Sequence, residues 1–174
     1  MRTKKEMRRL ADALIASLPA QVPDDPEALF AALVAAVGRW RGREVVLHRE
    51  VFPPHTASGL WLNREARDDI VVDRRAAVWH QIVIFCHEVW HMHREPHPAS
   101  GDAPAALRTD FSLADEQEAD RFGMLMGQRL RTLLETETET AGVREADAGG
   151  DGDDGAGGIA GRIGAALNYR GNRR

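Results

Sequence analysis

Residues 80–98 read HQIVIFCHEVWHMHREPHP, which gathers His80, His87, His91, His93 and His97, five of the chain's seven histidines, into one short stretch. Between residues 76 and 94 there is neither Gly nor Pro and apolar side chains dominate. The stretch therefore predicts a largely buried helix that ends before Pro96, whose ring cannot continue it. On a helix, residues four apart share a face, with Cβ atoms roughly 6 Å from each other. His87-Glu88-Val89-Trp90-His91 is thus an HExxH pattern in which the imidazoles of His87 and His91 reach one metal ion from the same side, the spacing zinc hydrolases use. Glu88, one residue round the helix, is placed to touch a water at that metal and to take its proton as general base.

A catalytic zinc ion (Zn2+) needs a third protein ligand and an open fourth position, and two residues are candidates for it. His97 completes HEVWHMHREPH, the histidine spacing of metzincins, but Arg94 stands where that motif turns on a glycine, and the required positive φ is costly for a side chain. Glu116, in DEQEADRFG, extends the helical stripe Ala119, Gly123, Met126, Leu130 and Leu133, so its carboxylate points where a buried face points and needs a partner there. The small Ala119 and Gly123 suit a close approach to the first helix. Asp120 falls on nearly the same face and can orient an imidazole by accepting its other N–H. Glu118 projects on the flank with Phe122 and Leu125, so periodicity favours Glu116 over Glu118.

The rest of the chain supplies a scaffold of α+β class. A length of 174 residues suits one domain with a sizeable core. The segment MRTKKEMRRLADALIASLPA has a basic start and an apolar stretch like a secretory signal, but Asp12 interrupts it, and Met7, Leu10, Leu14, Ile15 and Leu18 recur at helical spacing; an amphipathic helix docked on the core is expected. DDPEALFAALVAAVG reads as a second helix with an Asp cap, Pro26 in its first turn and Gly38 as its stop. Three β-prone segments, REVVLHREVF, GLWLN and DDIVVD, are separated by turn-forming stretches and predict a small antiparallel sheet, a meander. FSLADEQEADRFGMLMGQRLRTLL is a further helix with Ser112 as candidate cap. The expected fold is N-terminal helices, the small sheet, and the HExxH helix packed on the Glu-bearing helix, all within residues 1–135. Residues 136–174 are acidic and glycine-rich, too poor in large apolar groups to offset ordering entropy; a disordered tail with a short C-terminal helical turn is expected.

Charge and cysteine content exclude several roles. Residues 135–154 hold eight acids against Arg144, and residues 155–174 hold four arginines, which leaves residues 1–134 at −1 of the total −4. A near-neutral body without a basic stripe offers no footprint for direct nucleic-acid binding. No apolar run is long enough to span a membrane. Cys86 is the single cysteine, so no intrachain disulfide can form, and a cytoplasmic protein is expected. The flanking residues have plainer readings: His80 as a packing or capping residue two turns from His87, His93 as a solvent-facing side chain, and Trp61 and Trp79 as core or scaffold; His93, His55, His97 and Tyr169 are further candidates for stabilising an oxyanion.

In these motifs the chain resembles the ImmA/IrrE metallopeptidases, compact bacterial zincins, over residues 58–134: SGLWL, then DDIVVD, then a helix carrying His80 and HEVWH, then EQEADRFG, which is similar to the family's Glu-x-x-Ala-Asn/Asp/Glu signature. The resemblance implies zinc at His87, His91 and Glu116, with Glu88 as general base. It also implies the partner, a helix-turn-helix (XRE-like) repressor or antitoxin, often encoded nearby, whose cleavage releases genes of stress response or mobile elements. The chain departs from the usual pattern at Trp90, expected to narrow or reshape the cleft, and at FGMLMGQRL. Two functional classes follow: a zinc endopeptidase, or a non-catalytic regulator or toxin component whose zinc is structural. The presence of Glu88 favours the first, since a structural site has no use for a general base.

Overall fold

A computed structural model describes residues 2–22, 24–54, 56–95 and 111–148, with side chains to residue 135. Helix α1 (Arg2–Ala16) buries Met7, Leu10, Ala11 and Leu14 along one face, as an amphipathic helix docked on a core must. Helix α2 (Pro26–Arg41) starts where Asp25 accepts a 2.9 Å hydrogen bond from Ala28 N–H, with Pro26 in the first turn. It runs past Gly38, the expected stop. The helix ends instead at Gly42, whose left-handed φ of 73° lets its N–H close onto Gly38 and Arg39 carbonyls. Both glycines read alike in sequence, but only the second sits where the chain must turn away.

Strands β1 (Glu44–Glu50), β2 (Gly59–Asn63) and β3 (Arg67–Asp73) form a sheet in the order β1-β3-β2. The expected antiparallel meander is corrected: β3 pairs antiparallel with β2 but parallel with β1, so the sheet is mixed. Burial explains the insertion of β3. Asp68, Asp69, Ile70 and Val72 are all buried, whereas β1 keeps only Val45 buried, so the most buried strand takes the centre. The connection over residues 51–58 is also too long for the two-residue turn that would pair β1 with β2. Arg64–Arg67 forms such a turn between β2 and β3, with Arg64 N–H donating to Arg67 O at 3.0 Å.

Helix α3 (Val78–Arg94) crosses beneath β2 and β3, and its Ile82, Phe85, Val89 and Met92 join the core with Leu29, Phe30 and Leu33 of α2. Helix α4 (Leu113–Ala148) begins in a reciprocal cap: the Ser112 hydroxyl accepts from Asp115 N–H at 3.2 Å, and the Asp115 carboxylate accepts from both Ser112 N–H and its hydroxyl. Ala119, Phe122, Met126 and Leu130 face the core. The helical backbone continues to Ala148, past residue 135, the expected end of the folded domain. Glu, Thr and Ala extend a helix that is already nucleated, because each added residue gains a hydrogen bond without a new nucleation cost. The C-terminal turn expected in RIGAALNYR lies outside the described residues. Contacts divide the chain into Met1–Thr140 and Ala141–Arg174, and the functional geometry below belongs to the first unit. Among the described residues, no helix is long and apolar enough to cross a membrane.

Candidate metal centre

The α3 helix presents His87 and His91 on one face, their Nε2 atoms 3.1 Å apart. Across from them α4 brings Glu116, with Oε2 at 3.3 Å from His87 Nε2 and Oε1 at 3.3 Å from His91 Nε2. These are the spacings of a coordination shell. Donor atoms held about 2.0–2.2 Å from a tetrahedral ion lie roughly 3.3–3.6 Å from one another. Among the described residues, this is the one group of three His, Cys, Asp or Glu side chains close enough to share an ion. The donor set, two imidazoles and a carboxylate, suits zinc, and the side of the set away from the core opens into a cleft lined by Ser58, Gly59, Ile84 and Met124.

Protonation states fit the same reading. Burial first, then the neighbouring His87, pull the His91 imidazole down to about 4, so it is neutral near pH 7 and its Nε2 contact with Glu116 is not an ion pair of a charged ring. A neutral imidazole is the ligand form. Asp120 Oδ1 stands 2.9 Å from His87 Nδ1. A carboxylate there accepts the Nδ1 proton and leaves Nε2 with its lone pair aimed at the shared point. Phe111 stacks on the other ring, 3.7 Å from the His91 centroid at 20°, and walls the cleft beside Glu116.

Close packing between helices sets the position of Glu116. A Cβ on Gly123 would lie 2.7 Å from the Val83 carbonyl oxygen, and one on Gly127 would lie 2.9 Å from the Val83 side chain. Any side chain at Gly123 must therefore push α4 off α3, and Glu116, two turns away, moves with it. Ala119 is fully buried in the same interface.

Glu88 faces the cleft from α3 and is only 7% exposed. Burial, and after it the Glu116 charge, push its carboxyl up to about 8, while a hydrogen bond from the Trp61 backbone N–H acts in the opposite direction. Strand β2 comes this near because it carries Gly59: a Cβ there would sit 2.6 Å from Glu88 Oε1 and 2.5 Å from Ile84 Cγ2. Trp61 is anchored from behind. Its indole N–H donates to Asp68 at 2.9 Å, and the fully buried Asp68 also accepts from Arg41 Nε at 3.1 Å, with Arg43 Nε at 3.4 Å. Arg41 reaches on to the Met92 carbonyl in the last turn of α3 at 3.0 Å. One buried carboxylate thereby ties β2, β3, α2 and the end of α3 together.

Several expected placements change. Trp90 is fully buried, 5.2 Å from the Phe122 ring, and belongs to the core rather than the cleft. His93 is half-buried, between Trp90 and Trp40, with Glu6 at 3.4 Å, instead of facing solvent. His80 is exposed and lines the far end of the cleft rather than packing or capping. Glu118 turns toward Arg94 at 3.9 Å and away from the histidines. His55, His97 and Tyr169 lie outside the described residues. Trp61 is buried as core scaffold, as expected, whereas sequence reading missed Gly59, Asp68 and Phe111. Only Gly59 left a trace, as a glycine opening a β-prone segment. No family model, curated protein or solved structure matches the chain, so the family likeness rests on the motifs quoted above.

Proposed function

We propose that this chain is a zinc-dependent endopeptidase. The observation that carries the reading is the juxtaposition of a three-donor set at coordination spacing with a buried carboxyl, Glu88, and an open cleft under a sheet edge. A bound zinc ion supplies Lewis acidity to a scissile carbonyl and acidifies an attacking water. The protein's residues do the rest. Asp120 fixes the His87 ring and Trp61 N–H holds the Glu88 carboxylate in place; Glu88, which burial raises to about 8 without a metal, would be brought to its carboxylate form by a neighbouring cation, and in that form takes the proton of the attacking water and can return it to the leaving amine.

A peptide substrate also has a seat. The bonds Asp73 N–H to Ser58 O and Arg64 N–H to Arg67 O set the register of β2, so that Leu60 and Leu62 turn their backbone groups to β3. Gly59 and Asn63 then present theirs outward at the sheet edge, as Trp61 does its carbonyl while its N–H is taken by Glu88, and an extended peptide can add there as a strand. The family resemblance extends the proposal to a helix-turn-helix repressor or antitoxin encoded nearby as substrate, and to a cytoplasmic setting, which the lone cysteine suits.

Co-incubation with the repressor of the adjacent gene and zinc tests the reading. Cleavage is expected with the wild type, and Glu88→Gln should keep its zinc and its hold on the repressor while cleaving about 10²–10⁴-fold more slowly. Equal derepression by Glu88→Gln would replace the peptidase with a regulator or toxin component that acts by binding.

A further inference from the structure

Beyond the metal, α3 and α4 continue side by side as an antiparallel pair. His91 and His87 meet Glu116, Val83 meets Gly123 and Gly127, and Trp79 lies under Arg131, whose guanidinium carbon is 5.0 Å from the ring centroid. A second hollow follows this seam and shares Val83, Asp120 and Met124 with the metal cleft, so the two adjoin. Its apolar part is Trp79, Leu125 and Met124, the last 67% exposed.

Its charge has the opposite sign to that of the metal end. Arg121 and Arg131 line it, and its one carboxylate, Asp120, is engaged by His87. Elsewhere on α4 the half-buried Arg129 is paired with Asp12 at 2.6 Å. The two seam arginines make no ion pair among the described residues. Arg131 is held over Trp79 by a cation–π contact, which leaves its N–H fork available to a carboxylate.

We propose that this seam is a substrate-binding groove for an acidic stretch of extended peptide, an assignment that rests on the endopeptidase reading. Met124 is eight residues from Glu116 along α4, about 12 Å at the helical rise, and Arg131 is about 10 Å further. An extended peptide advances about 3.3 Å per residue. Arg121 is five residues from Glu116, about 7.5 Å along the axis, so an acidic side chain about two residues from the scissile bond meets Arg121, an apolar one three or four residues from it meets Met124, and a second acidic one about three residues beyond that meets Arg131.

Binding of fluorescein-labelled peptides to zinc-loaded full-length Glu88→Gln protein, read by anisotropy, tests the groove. The peptides carry one leucine at the Met124 position and either glutamates or lysines at the Arg121 and Arg131 positions, on either side of a central bond. Glutamate peptides should bind roughly tenfold more tightly than lysine peptides. The pair Arg121→Glu with Arg131→Glu should reverse that preference while zinc content stays the same, both side chains being exposed. A preference that survives the charge reversal, or none to begin with, overturns the groove. Incubating the same peptides with the wild type separates the two readings: charge-reversible binding without cleavage keeps the groove and removes the peptidase, whereas cleavage indifferent to both charge changes keeps the peptidase and removes the groove.

Discussion

Helix α3 and strand β2 meet across the Glu88 carboxylate, and they arrive there by different physical routes. On α3 the placement is local: His87, Glu88 and His91 are positioned by helical periodicity, and a continuous apolar stripe through Ile82, Phe85 and Val89 fixes which face is turned inward. On β2 the placement is long-range. Gly59 and Trp61 reach Glu88 because β3 inserts between β1 and β2, and because Asp68, Arg41 and the Met92 carbonyl lock the strand to the end of α3. A local device tolerates changes in its surroundings as long as the helix persists. The long-range one fails if any of several distant groups is altered.

The largest expected effect comes from breaking the junction of α3 with α4. Glu116→Ala leaves two imidazoles without their third donor, so purified protein should lose nearly all of its zinc and all cleavage, as read by metal analysis. Glu118→Ala, two positions on, should retain zinc near wild-type content, because its carboxylate faces Arg94. Zinc retained by Glu116→Ala and lost by His97→Ala would place the third ligand after α3 instead.

Next in size is a change on β2 that never touches the metal. In Gly59→Ala the new methyl would meet Glu88 Oε1 at 2.6 Å and Ile84 Cγ2 at 2.5 Å, both well inside contact distance. The strand must shift or Glu88 must turn away, and either outcome takes the Trp61 N–H off the carboxylate. Cleavage should fall by about tenfold or more, toward the range general-base catalysis supplies, while zinc content is unchanged because the proposed ligands lie on α3 and α4. Loss of zinc in parallel with activity would show that β2 supports the metal centre as a whole rather than Glu88 alone.

The contrast also explains what could be read from the chain before folding. HExxH spacing, the stripe that picked Glu116, the Ser112 cap and the Asp25–Pro26 start of α2 are all relations between residues a few positions apart, which helix geometry converts directly into contacts. Trp90 was misplaced because an HExxH helix carries a core face as well as a metal face, and one residue of offset, about 100°, decides between them. The sheet order depended on which segment was most buried, and the buried acids of DDIVVD, Asp68 and Asp69, disguised it: they count as polar in a hydrophobic pattern but sit in the centre, neutralised by Arg41, Arg43, Arg64 and Arg67 with His48 in contact. The hydrogen bond from Trp61 N–H to Glu88 leaves no mark in the sequence, since every residue has a backbone N–H.

The smallest expected effect concerns the metal-free protein and isolates the cost of burying Glu88 between α3 and β2. Its carboxyl, at 4.5 when unfolded, is pushed up to about 8 in the fold by burial and then by Glu116. Between these values the folded chain holds a proton that the unfolded chain has released, so stability declines as pH rises from about 5 to about 8. His91 works in the opposite sense. Held down to about 4 by burial and His87, it binds its proton more readily when unfolded, and its contribution is lost as pH falls from 6.5 toward 4. Both trends are present in the wild type, but Glu88→Gln removes only the first. The melting temperature of metal-free Glu88→Gln should therefore lie near that of the wild type at pH 5 and exceed it increasingly toward pH 8, by roughly 3 °C or more, since one pKa unit corresponds to about 1.4 kcal/mol and a domain of this size gains about 2–4 °C per kcal/mol. A difference that stays flat with pH would mean that β2 withdraws from α3 when no metal is bound and lets water reach the carboxylate, which would make the strand's position depend on the metal rather than on Asp68.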